Sequence, residues 1–215
     1  MQVHQFINGT LKSNNYLITT AKSPGVWLVD LGSFDQVIKK ISPQQRIEGV
    51  LLTHYHYDHI VYINELIEQF PRCKIYASPH TAKGLYDPKQ NLSFYHESPI
   101  KYIGSEPFLF EDGSSIKLFD DIIAKAYTTP GHNPGCMTFL IGDYLFTGDS
   151  YIPHLDVVTK LPLGNKTQSL ESLKKISALL LPNTTICPGH GPMAKTHEII
   201  DHLTKLIQFP KSHPR

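Results

Sequence analysis

The sequence predicts an α/β protein whose sheets are covered by helices on their outer faces. Three observations lead to this class. Short β-branched and aliphatic runs alternate with longer segments whose apolar residues recur at helical spacing. The alternation extends along the whole chain, and no Pro/Gly/Ser-rich linker divides it. Gly142 and Asp143 lie between two apolar runs, which is typical of a tight hairpin turn. We therefore expect one domain over residues 1–215.

Ten strands and five helices account for most of the chain. The predicted strands cover residues 3–6, 16–19, 26–30, 49–53, 73–77, 115–118, 122–128, 137–141, 144–147 and 184–187. The predicted helices cover residues 34–41, 59–70, 79–85, 166–180 and 195–209. Between these elements, residues 87–110 and 151–164 are less regular. Long irregular segments in a compact domain often cover an active site, so both are candidate covers.

The composition is that of an ordinary globular protein and points to a small-molecule substrate. Of the 215 residues, 40% are hydrophobic and 18% are charged, and the formal net charge is +1. So small a charge argues against nucleic acid or an anionic membrane as a partner. No apolar stretch approaches the roughly 20 residues of a membrane-spanning helix. The N-terminus lacks the pattern of a signal peptide, so we expect a cytoplasmic protein.

The three cysteines are Cys73, Cys136 and Cys187, and none of them forms a CxxC pair. An odd number without metal-ligand spacing is typical of reduced thiols in a reducing compartment. We expect all three to pack in strands, and the apolar residues beside Cys136 and Cys187 predict that these two face the core.

The stretch LLTHYHYDHI, residues 51–60, concentrates three histidines and an aspartate where a predicted strand meets a predicted helix. In α/β proteins that junction lies at the crevice where ligands bind. His54, His56, Asp58 and His59 are too close in sequence for all four to reach one ion, but they can serve two adjacent ions. A solvated polar loop is the alternative, and the buried strand directly before the cluster favours metal binding.

Three further loops have the same local design. His132 in T-P-G-H, Asp149 in T-G-D and His190 in P-G-H-G each follow an apolar run. Glycine lets the backbone turn sharply and approach closely, and proline stiffens the approach. The repetition of this design beside the first cluster favours one shared metal centre over three separate solvated loops.

These motifs resemble those of the metallo-β-lactamase superfamily. H-x-H-x-D-H at residues 54–59, T-P-G-H, T-G-D and P-G-H-G occur in the order of that family, from Asp30 to His190. The resemblance implies an αββα sandwich of two mixed β-sheets with helices on the outer faces. It also implies two divalent metal ions at one edge of the paired sheets. Zinc is the expected metal, and iron or manganese suits the same imidazole and carboxylate ligands.

The resemblance implies seven metal ligands, divided between two ions: His54, His56 and His132 on one, Asp58, His59 and His190 on the other, and Asp149 bridging both. Asp30 would support the site from behind the ligands. The carboxylates of Asp58 and Asp149 would offset part of the metal charge, and both are expected to be catalytic. Two close metals lower the pKa of a bridging water, so the expected nucleophile is a metal-bridged hydroxide.

The ligand set is most similar to that of the small hydrolases near glyoxalase II, which cleave the thioester of hydroxyacyl-glutathione. Those enzymes carry a helical C-terminal domain, whereas only one predicted helix follows His190. A lactonase of the same superfamily is one alternative, and a persulfide dioxygenase with a single iron is another. The dioxygenase branch has an Arg-rich segment after T-G-D, but residues 150–160 contain no arginine. Asp149 argues against the commonest β-lactamases, which have a cysteine in its place.

A metal-stabilised binding module is the non-enzymatic alternative. Structural zinc sites are closed by four ligands that are usually cysteines, whereas this ligand set would leave open positions.

Tyr151 and Lys160 lie in the second irregular segment and are candidate substrate contacts. His96, in the first irregular segment, has no ligand context and is expected at the surface.

Overall fold

The computed structural model describes residues 1–9 and 11–209. Two six-stranded sheets pack face to face, and helices cover their outer sides. This is the αββα sandwich of two mixed sheets that the sequence predicts. The first half of the chain forms one sheet and the second half forms the other.

The first sheet contains strands β1 to β6 in chain order. Their bounds are β1 Gln2–Ile7, β2 Asn14–Thr20, β3 Ser23–Val29, β4 Arg46–Leu51, β5 Lys74–Ala77 and β6 Phe108–Leu109. β1 to β3 pair antiparallel, whereas β3 to β6 pair parallel. The parallel pairing brings the carboxyl ends of β3, β4 and β5 to the same edge of the sheet.

The second sheet has the strand order β12-β11-β10-β9-β8-β7. Its bounds are β7 Ser115–Phe119, β8 Ile122–Thr128, β9 Met137–Ile141, β10 Tyr144–Gly148, β11 Thr185–Pro188 and β12 Ala194–Lys195. β7 to β10 form an antiparallel meander, and β10 pairs parallel with β11. The carboxyl ends of β10 and β11 therefore lie side by side.

Six α-helices cover the two sheets. Their bounds are α1 Asp35–Lys40, α2 Tyr57–Ile60, α3 Ile63–Gln69, α4 Pro79–Gly84, α5 Lys166–Leu179 and α6 Thr196–Gln208, and a 3-10 turn spans Ser93–Tyr95. α1, α3 and α4 pack on the first sheet, and α5 and α6 pack on the second. Ser78 and Asn165 cap α4 and α5, because each side-chain oxygen accepts a hydrogen bond from a backbone N–H of the first turn.

Central strands such as β3 and β10 bury both of their faces, and the core has three layers. In β3, Trp27 and Val29 point between the sheets, whereas Val26 and Leu28 point toward the helices of the first sheet. In β10, Phe146 lies between the sheets, and Leu145 points toward α5 and α6. Strands buried on both faces have continuous apolar runs, which is how the sequence identified them.

The prediction of one continuous helix over residues 59–70 is wrong. Two helices, α2 and α3, are separated there at Val61 and Tyr62. The His59 carbonyl accepts a hydrogen bond from the Leu31 N–H at 2.8 Å, and the Tyr62 N–H donates to the Leu31 carbonyl at 3.4 Å. These backbone groups bind the connection after β3 instead of the next helical turn, so the helix breaks.

β8 and β9 have the predicted ends, the other predicted elements occur with shifted ends, and the structure adds two short strands. β6 and β12 have two residues each, which is too short for a period-2 pattern to show in the sequence. The predicted hairpin turn joins β9 to β10 at Gly142, whose φ of +58° lies in the left-handed region that favours glycine.

Within the described residues, no helix is long and apolar enough to cross a membrane.

The three cysteines are free and buried, as the sequence predicts. Only Cys187 lies within a strand, whereas Cys73 and Cys136 each directly precede one. The one-domain organisation stays a prediction.

The layer between the second sheet and its helices predicts a matched pair of leucine substitutions. Leu145 in β10 is 0% exposed, and Leu181, after α5, is 65% exposed. Leu145→Ala should lower the free energy of unfolding by about 2–5 kcal/mol, because it leaves a cavity in the core. Leu181→Ala should change it by less than about 0.5 kcal/mol. Urea denaturation measures both, and equal losses would contradict the assignment of the layer.

Candidate metal centre

All seven predicted ligands lie at one edge of the sandwich, beyond the carboxyl ends of four strands. They are His54, His56, Asp58 and His59 after β4, His132 after β8, Asp149 after β10 and His190 after β11. Four of the five histidines are buried, while His190 and the two carboxylates are partly exposed. The strand ends bring these loops together although they are far apart in sequence.

The first group contains His54, His56 and His132. Their ligand-type nitrogens lie within 4.8 Å of one another. His132 Nε2 is 2.8 Å from His56 Nδ1, and the His54 ring centroid is 5.1 Å from that of His132. Three imidazole nitrogens that face a common point are a typical set of protein ligands for zinc.

The second group contains Asp58, His59 and His190, and their ligand-type atoms also lie within 4.8 Å of one another. His190 Nε2 is 3.1 Å from Asp58 Oδ2, and His59 Nε2 is 3.5 Å from the same oxygen. A carboxylate beside two imidazoles is a ligand set that zinc, iron or manganese can accept.

Asp149 lies between the two groups. Its Oδ2 is 3.5 Å from His132 Nε2 and 3.6 Å from His190 Nε2. Its Oδ1 is 3.5 Å from His59 Nε2. A single carboxylate therefore faces ligand atoms of both groups, which is the position that the bridging role requires.

Two glycines permit this close approach of loops. A Cβ at Gly189 would overlap Asp149 Oδ1 and lie 2.9 Å from His59 Cε1. Gly148 has a φ of +49°, and a Cβ there would lie 2.6 Å from the Cβ of Thr53. The T-G-D and P-G-H-G motifs thus need glycine for space as well as for turning.

Asp30 holds the site from behind. Its Oδ1 accepts a hydrogen bond from the Thr53 N–H at 2.7 Å, and its Oδ2 accepts from the Thr53 hydroxyl at 2.7 Å. The His59 Nδ1 atom is 2.9 Å from Asp30 Oδ2. Both carboxylate oxygens are therefore in use, although Asp30 also lies within 4.8 Å of the ligand atoms of His54 and His59. A supporting role for Asp30 stays a prediction.

Protein acceptors also lie beside the Nδ1 atoms of three other histidines. The Val158 carbonyl lies 2.7 Å from His132 Nδ1, and the Lys12 carbonyl lies 3.1 Å from His190 Nδ1. His54 Nδ1 is 3.0 Å from the Thr53 hydroxyl. An Nδ1–H that donates to such an acceptor leaves the Nε2 lone pair free, as a metal ligand requires.

Three buried atoms of the site lack the hydrogen bonds that buried polar atoms normally make. His54 Nε2, His59 Nε2 and Asp149 Oδ1 have no hydrogen-bond partner among the described residues. A buried polar atom without a partner costs free energy, so such atoms need a reason. Metal ions would satisfy all three, and the residues present therefore fit the metal centre that the sequence predicts.

Two histidines of the first group, His54 and His56, are held neutral by their surroundings. Burial, followed by the neighbouring histidines His59 and His56, holds the pKa of His54 well below its usual value. Burial and the nearby His132 lower the pKa of His56 to about 3. Both imidazoles are consequently unprotonated at neutral pH and have lone pairs available for a metal.

The second group has the opposite electrostatics. Burial lowers the pKa of His59, but Asp58, Asp149 and Asp30 outweigh it and raise that pKa well above its usual value. Burial raises the pKa of Asp58, but His59 and His190 outweigh it, so that pKa is lowered. The pKa of Asp149 is lowered well below its usual range because His59 outweighs the effect of burial. Without metal, His59 therefore bears a proton among the carboxylates.

A cavity of about 240 Å³ opens beside the ligands, which we call the metal cavity. Its wall includes four predicted ligands together with Leu11, Tyr57, Leu92, His96, Val158 and Leu161. His96 lies at the surface as predicted, but it stacks on Tyr57 with ring centroids 3.9 Å apart and so belongs to the site. The sequence carried no signal for this contact, because the two rings come from segments 39 residues apart in numbering.

The two candidate substrate contacts lie outside the wall of the metal cavity. Tyr151 is 0% exposed and packs between β10 and the outer helices, with its hydroxyl 3.2 Å from His202 Nδ1. Lys160 is exposed and lines a different cavity, beside α5. Substrate contact by either residue stays a prediction.

The buried thiols do not compete with the metal centre for the role of nucleophile. Burial raises the pKa of Cys136 to about 12 and raises that of Cys187 still further. A thiol with such a pKa is protonated at neutral pH, and the protonated form is a poor nucleophile.

Comparison with known proteins supports the same chemistry. Residues 8–190 match the family model described as the Metallo-beta-lactamase superfamily. A Streptococcus pyogenes serotype M6 protein named "Probable metallo-hydrolase" is 28% identical over 198 residues, which are 89% of this chain and 84% of that protein.

Hydroxyacylglutathione hydrolases are also similar. The Salmonella typhi enzyme is 28% identical over 179 residues, which cover 82% of this chain and 62% of that protein. The Xylella fastidiosa strain 9a5c enzyme is 31% identical over 178 residues, which cover 82% of this chain and 60% of that protein. The chain thus spans less than two thirds of the length of these enzymes.

Solved structures share the fold over nearly the whole chain. The B3 metallo-β-lactamase BLEG-1 is 26% identical with a TM-score of 0.85, and the match covers 95% of this chain and 99% of that chain. The protein TTHA1623, solved in a di-iron-bound form, is 26% identical with a TM-score of 0.73, covering 90% of this chain and 95% of that chain.

The hydrogen bonds of Asp30 predict a loss of metal affinity in Asp30→Asn. Asp30 has a φ of +57°, which asparagine tolerates, so the backbone should persist. Asparagine offers one acceptor oxygen instead of two, so the His59 Nδ1–H or Thr53 loses its acceptor. Affinity should fall about 10–100-fold in competition with a chelator. The exposed Asp121→Asn, which removes the surface ion pair with Lys22, is the matched control, and equal affinities would refute the supporting role.

The raised pKa of His59 predicts that metal binding releases a proton. Without metal, His59 is protonated at pH 7, and a metal can bind Nε2 only after that proton leaves. Affinity for zinc should therefore rise with pH between about 6 and 8. Calorimetric titration of metal-free protein in two buffers with different ionisation enthalpies counts the protons released. An affinity independent of pH, with no proton release, would contradict the charge assigned to His59.

Proposed function

Because the chain belongs to the metallo-β-lactamase superfamily, we propose that it is a metal-dependent hydrolase that cleaves a thioester or a related ester bond. The observation that carries the proposal is a set of buried ligand atoms without partners at the edge of an open cavity. His54 Nε2, His59 Nε2 and Asp149 Oδ1 lack hydrogen bonds, and Asp149 also lines the metal cavity. A purely structural metal site would be closed, whereas a catalytic site keeps open positions beside a cavity.

We propose two metal positions in this site. His54, His56 and His132 would hold one ion, and the Asp58, His59 and His190 group would hold the other, with Asp149 between them. When bound, the metals supply Lewis acidity for the substrate oxygen and an activated water as nucleophile. Zinc suits these ligands, and the similarity to a di-iron-bound protein supports iron as a second choice.

The residues of the chain orient the ligands and form the wall beside them. Asp30 fixes the ring of His59, and the Val158 carbonyl fixes that of His132. Because these partners set the ring orientations before substrate arrives, little reorganisation is needed during the reaction. The stacked pair Tyr57 and His96 forms one wall of the metal cavity, where it can position the reacting group of the substrate.

Hydroxyacylglutathione hydrolases support a thioester as the first substrate class to test. The similarity covers only 60–62% of the length of those enzymes, so the proposal extends to the bond that is cleaved and not to glutathione.

A cyclic ester or amide, that is, a lactone or a β-lactam, is the second candidate class. The similarity to BLEG-1 favours it, because the match covers 99% of that chain. Hydrolysis of either class would use the same ligands and the same cavity. A metal-loaded sample assayed against one thioester, one lactone and one β-lactam separates the classes by their relative kcat/KM. Oxygen consumption with a single bound iron would instead indicate a persulfide dioxygenase.

The position of Asp149 between both groups predicts that it matters more than any other single carboxylate nearby. Asp149→Ala should lower kcat/KM by more than the roughly 10–100-fold that loss of a supporting partner costs, because both metal positions are affected. Asp143→Ala, an exposed aspartate in the preceding turn, is the matched control and should retain activity. Tyr151→Phe should lose less than about tenfold, a barrier change of about 1.4 kcal/mol. If Tyr151→Phe were as damaging as Asp149→Ala, the assigned roles would be wrong.

A further inference from the structure

The metal cavity is smaller than most sites for small organic molecules. Its volume is about 240 Å³, whereas sites for small organic molecules usually have volumes of about 300–1,000 Å³. The reacting ester or thioester group fits beside the ligands, and the rest of the molecule must extend into neighbouring space. Two cavities share wall residues with the metal cavity and could receive it.

The first neighbour, which we call the helix cavity, has a volume of about 370 Å³ and lies between residues 156–160 and the helices α5 and α6. Val158 lines both the helix cavity and the metal cavity. The carbonyl of Val158 also accepts the hydrogen bond from His132 at 2.7 Å. The two cavities therefore share Val158, which contacts a metal-ligand candidate.

The wall of the helix cavity is mainly apolar. Val157, Leu170, Leu173 and Leu206 join Val158 there, and Leu173 is only 5% exposed. The exchange of water for hydrocarbon in an apolar cavity of this size is favourable. Lys160 and Lys166 also contribute to the wall. Their aliphatic stems can cover hydrocarbon while the ammonium groups stay in water.

The wall of the second neighbouring cavity is more polar. This cavity has a volume of about 730 Å³ and shares Leu11, Tyr57 and His96 with the metal cavity. Polar and charged side chains contribute much of its wall, among them Asp35, Lys39 and Glu97. The two neighbours therefore suit two chemically different ends of one substrate, an apolar end and a polar end.

We propose that the helix cavity binds the apolar acyl chain of the substrate, so that the enzyme prefers thioesters or esters of medium-chain acids over acetyl esters. This inference rests on the proposed hydrolase function and deepens it. Each additional CH₂ that the cavity buries should strengthen binding by up to about fourfold.

The first experiment measures chain binding without any reaction. Neutral straight-chain alcohols, 1-butanol and 1-octanol, are added to protein with ¹³C-labelled Leu and Val methyl groups, both metal-free and metal-loaded. 1-Octanol should shift the methyl signals of Leu170, Leu173 and Leu206, and should do so at concentrations at least tenfold lower than 1-butanol. The methyl signals of the exposed Leu181 should not move. Shifts confined to other regions, or none, would overturn the inference, and this measurement needs no variant.

The second experiment fills the helix cavity. Leu170→Trp places a large ring in its wall, and Leu181→Trp, at a 65% exposed position outside the cavity, is the matched control. The ratio of kcat/KM for an octanoyl thioester to that for an acetyl thioester of the same thiol should fall at least tenfold in Leu170→Trp. The ratio should be unchanged in Leu181→Trp. A ratio that does not respond to Leu170→Trp would overturn the inference.

The two proposals fail in different ways. If acetyl and octanoyl thioesters were hydrolysed equally well and 1-octanol left the cavity signals in place, the hydrolase function would stand and the acyl-chain inference would fall. If metal-loaded protein hydrolysed no ester, thioester or lactam, the proposed function would fall, and the substrate role of the helix cavity would fall with it. Methyl shifts with 1-octanol would in that case still identify the helix cavity as a ligand site.

Discussion

The carboxylate of Asp30, directly after β3, binds both Thr53 after β4 and the metal-ligand candidate His59 in α2. It is 2% exposed, and it accepts hydrogen bonds from the backbone and hydroxyl of Thr53 and from the ring of His59. The Thr53 hydroxyl in turn contacts His54. A buried carboxylate is stable only when such partners satisfy it, so the same bonds that stabilise Asp30 also orient two imidazoles. The left-handed φ of +57° at Asp30 turns the chain so that these bonds can form.

Strand pairing brings the remaining ligand candidates to the same edge of the sandwich. Parallel pairing of β3 with β4 and of β10 with β11 places the loops after these strands at one edge, where their ligands meet. Packing alone would not keep so many imidazoles and carboxylates together, because three of their buried atoms have no hydrogen-bond partner among the described residues. Bound metal would offset that free-energy cost. Because His54 and His56 are neutral and His59 is protonated without metal, the two metal positions should respond differently to pH.

Much of this could be predicted from the sequence, because the ligand types lie directly after apolar runs that form strands. The break between α2 and α3 could not, since the apolar spacing of Ile60, Ile63 and Leu66 continues across it, and only the hydrogen bonds to Leu31 reveal it. The burial of Tyr151 depends on His202 in α6, and the place of His96 depends on Tyr57. Such contacts between distant segments leave no local pattern. The two-residue strands β6 and β12 are likewise too short to produce one.

We propose that this edge of the sandwich binds two metal ions. Elemental analysis of protein purified without chelator, and then reconstituted with zinc, tests it most directly. The account predicts about two equivalents of transition metal per chain, bound with the loss of at least one proton from the metal-free protein. A protein that retained no metal, or that held a single ion even after full reconstitution, would contradict it.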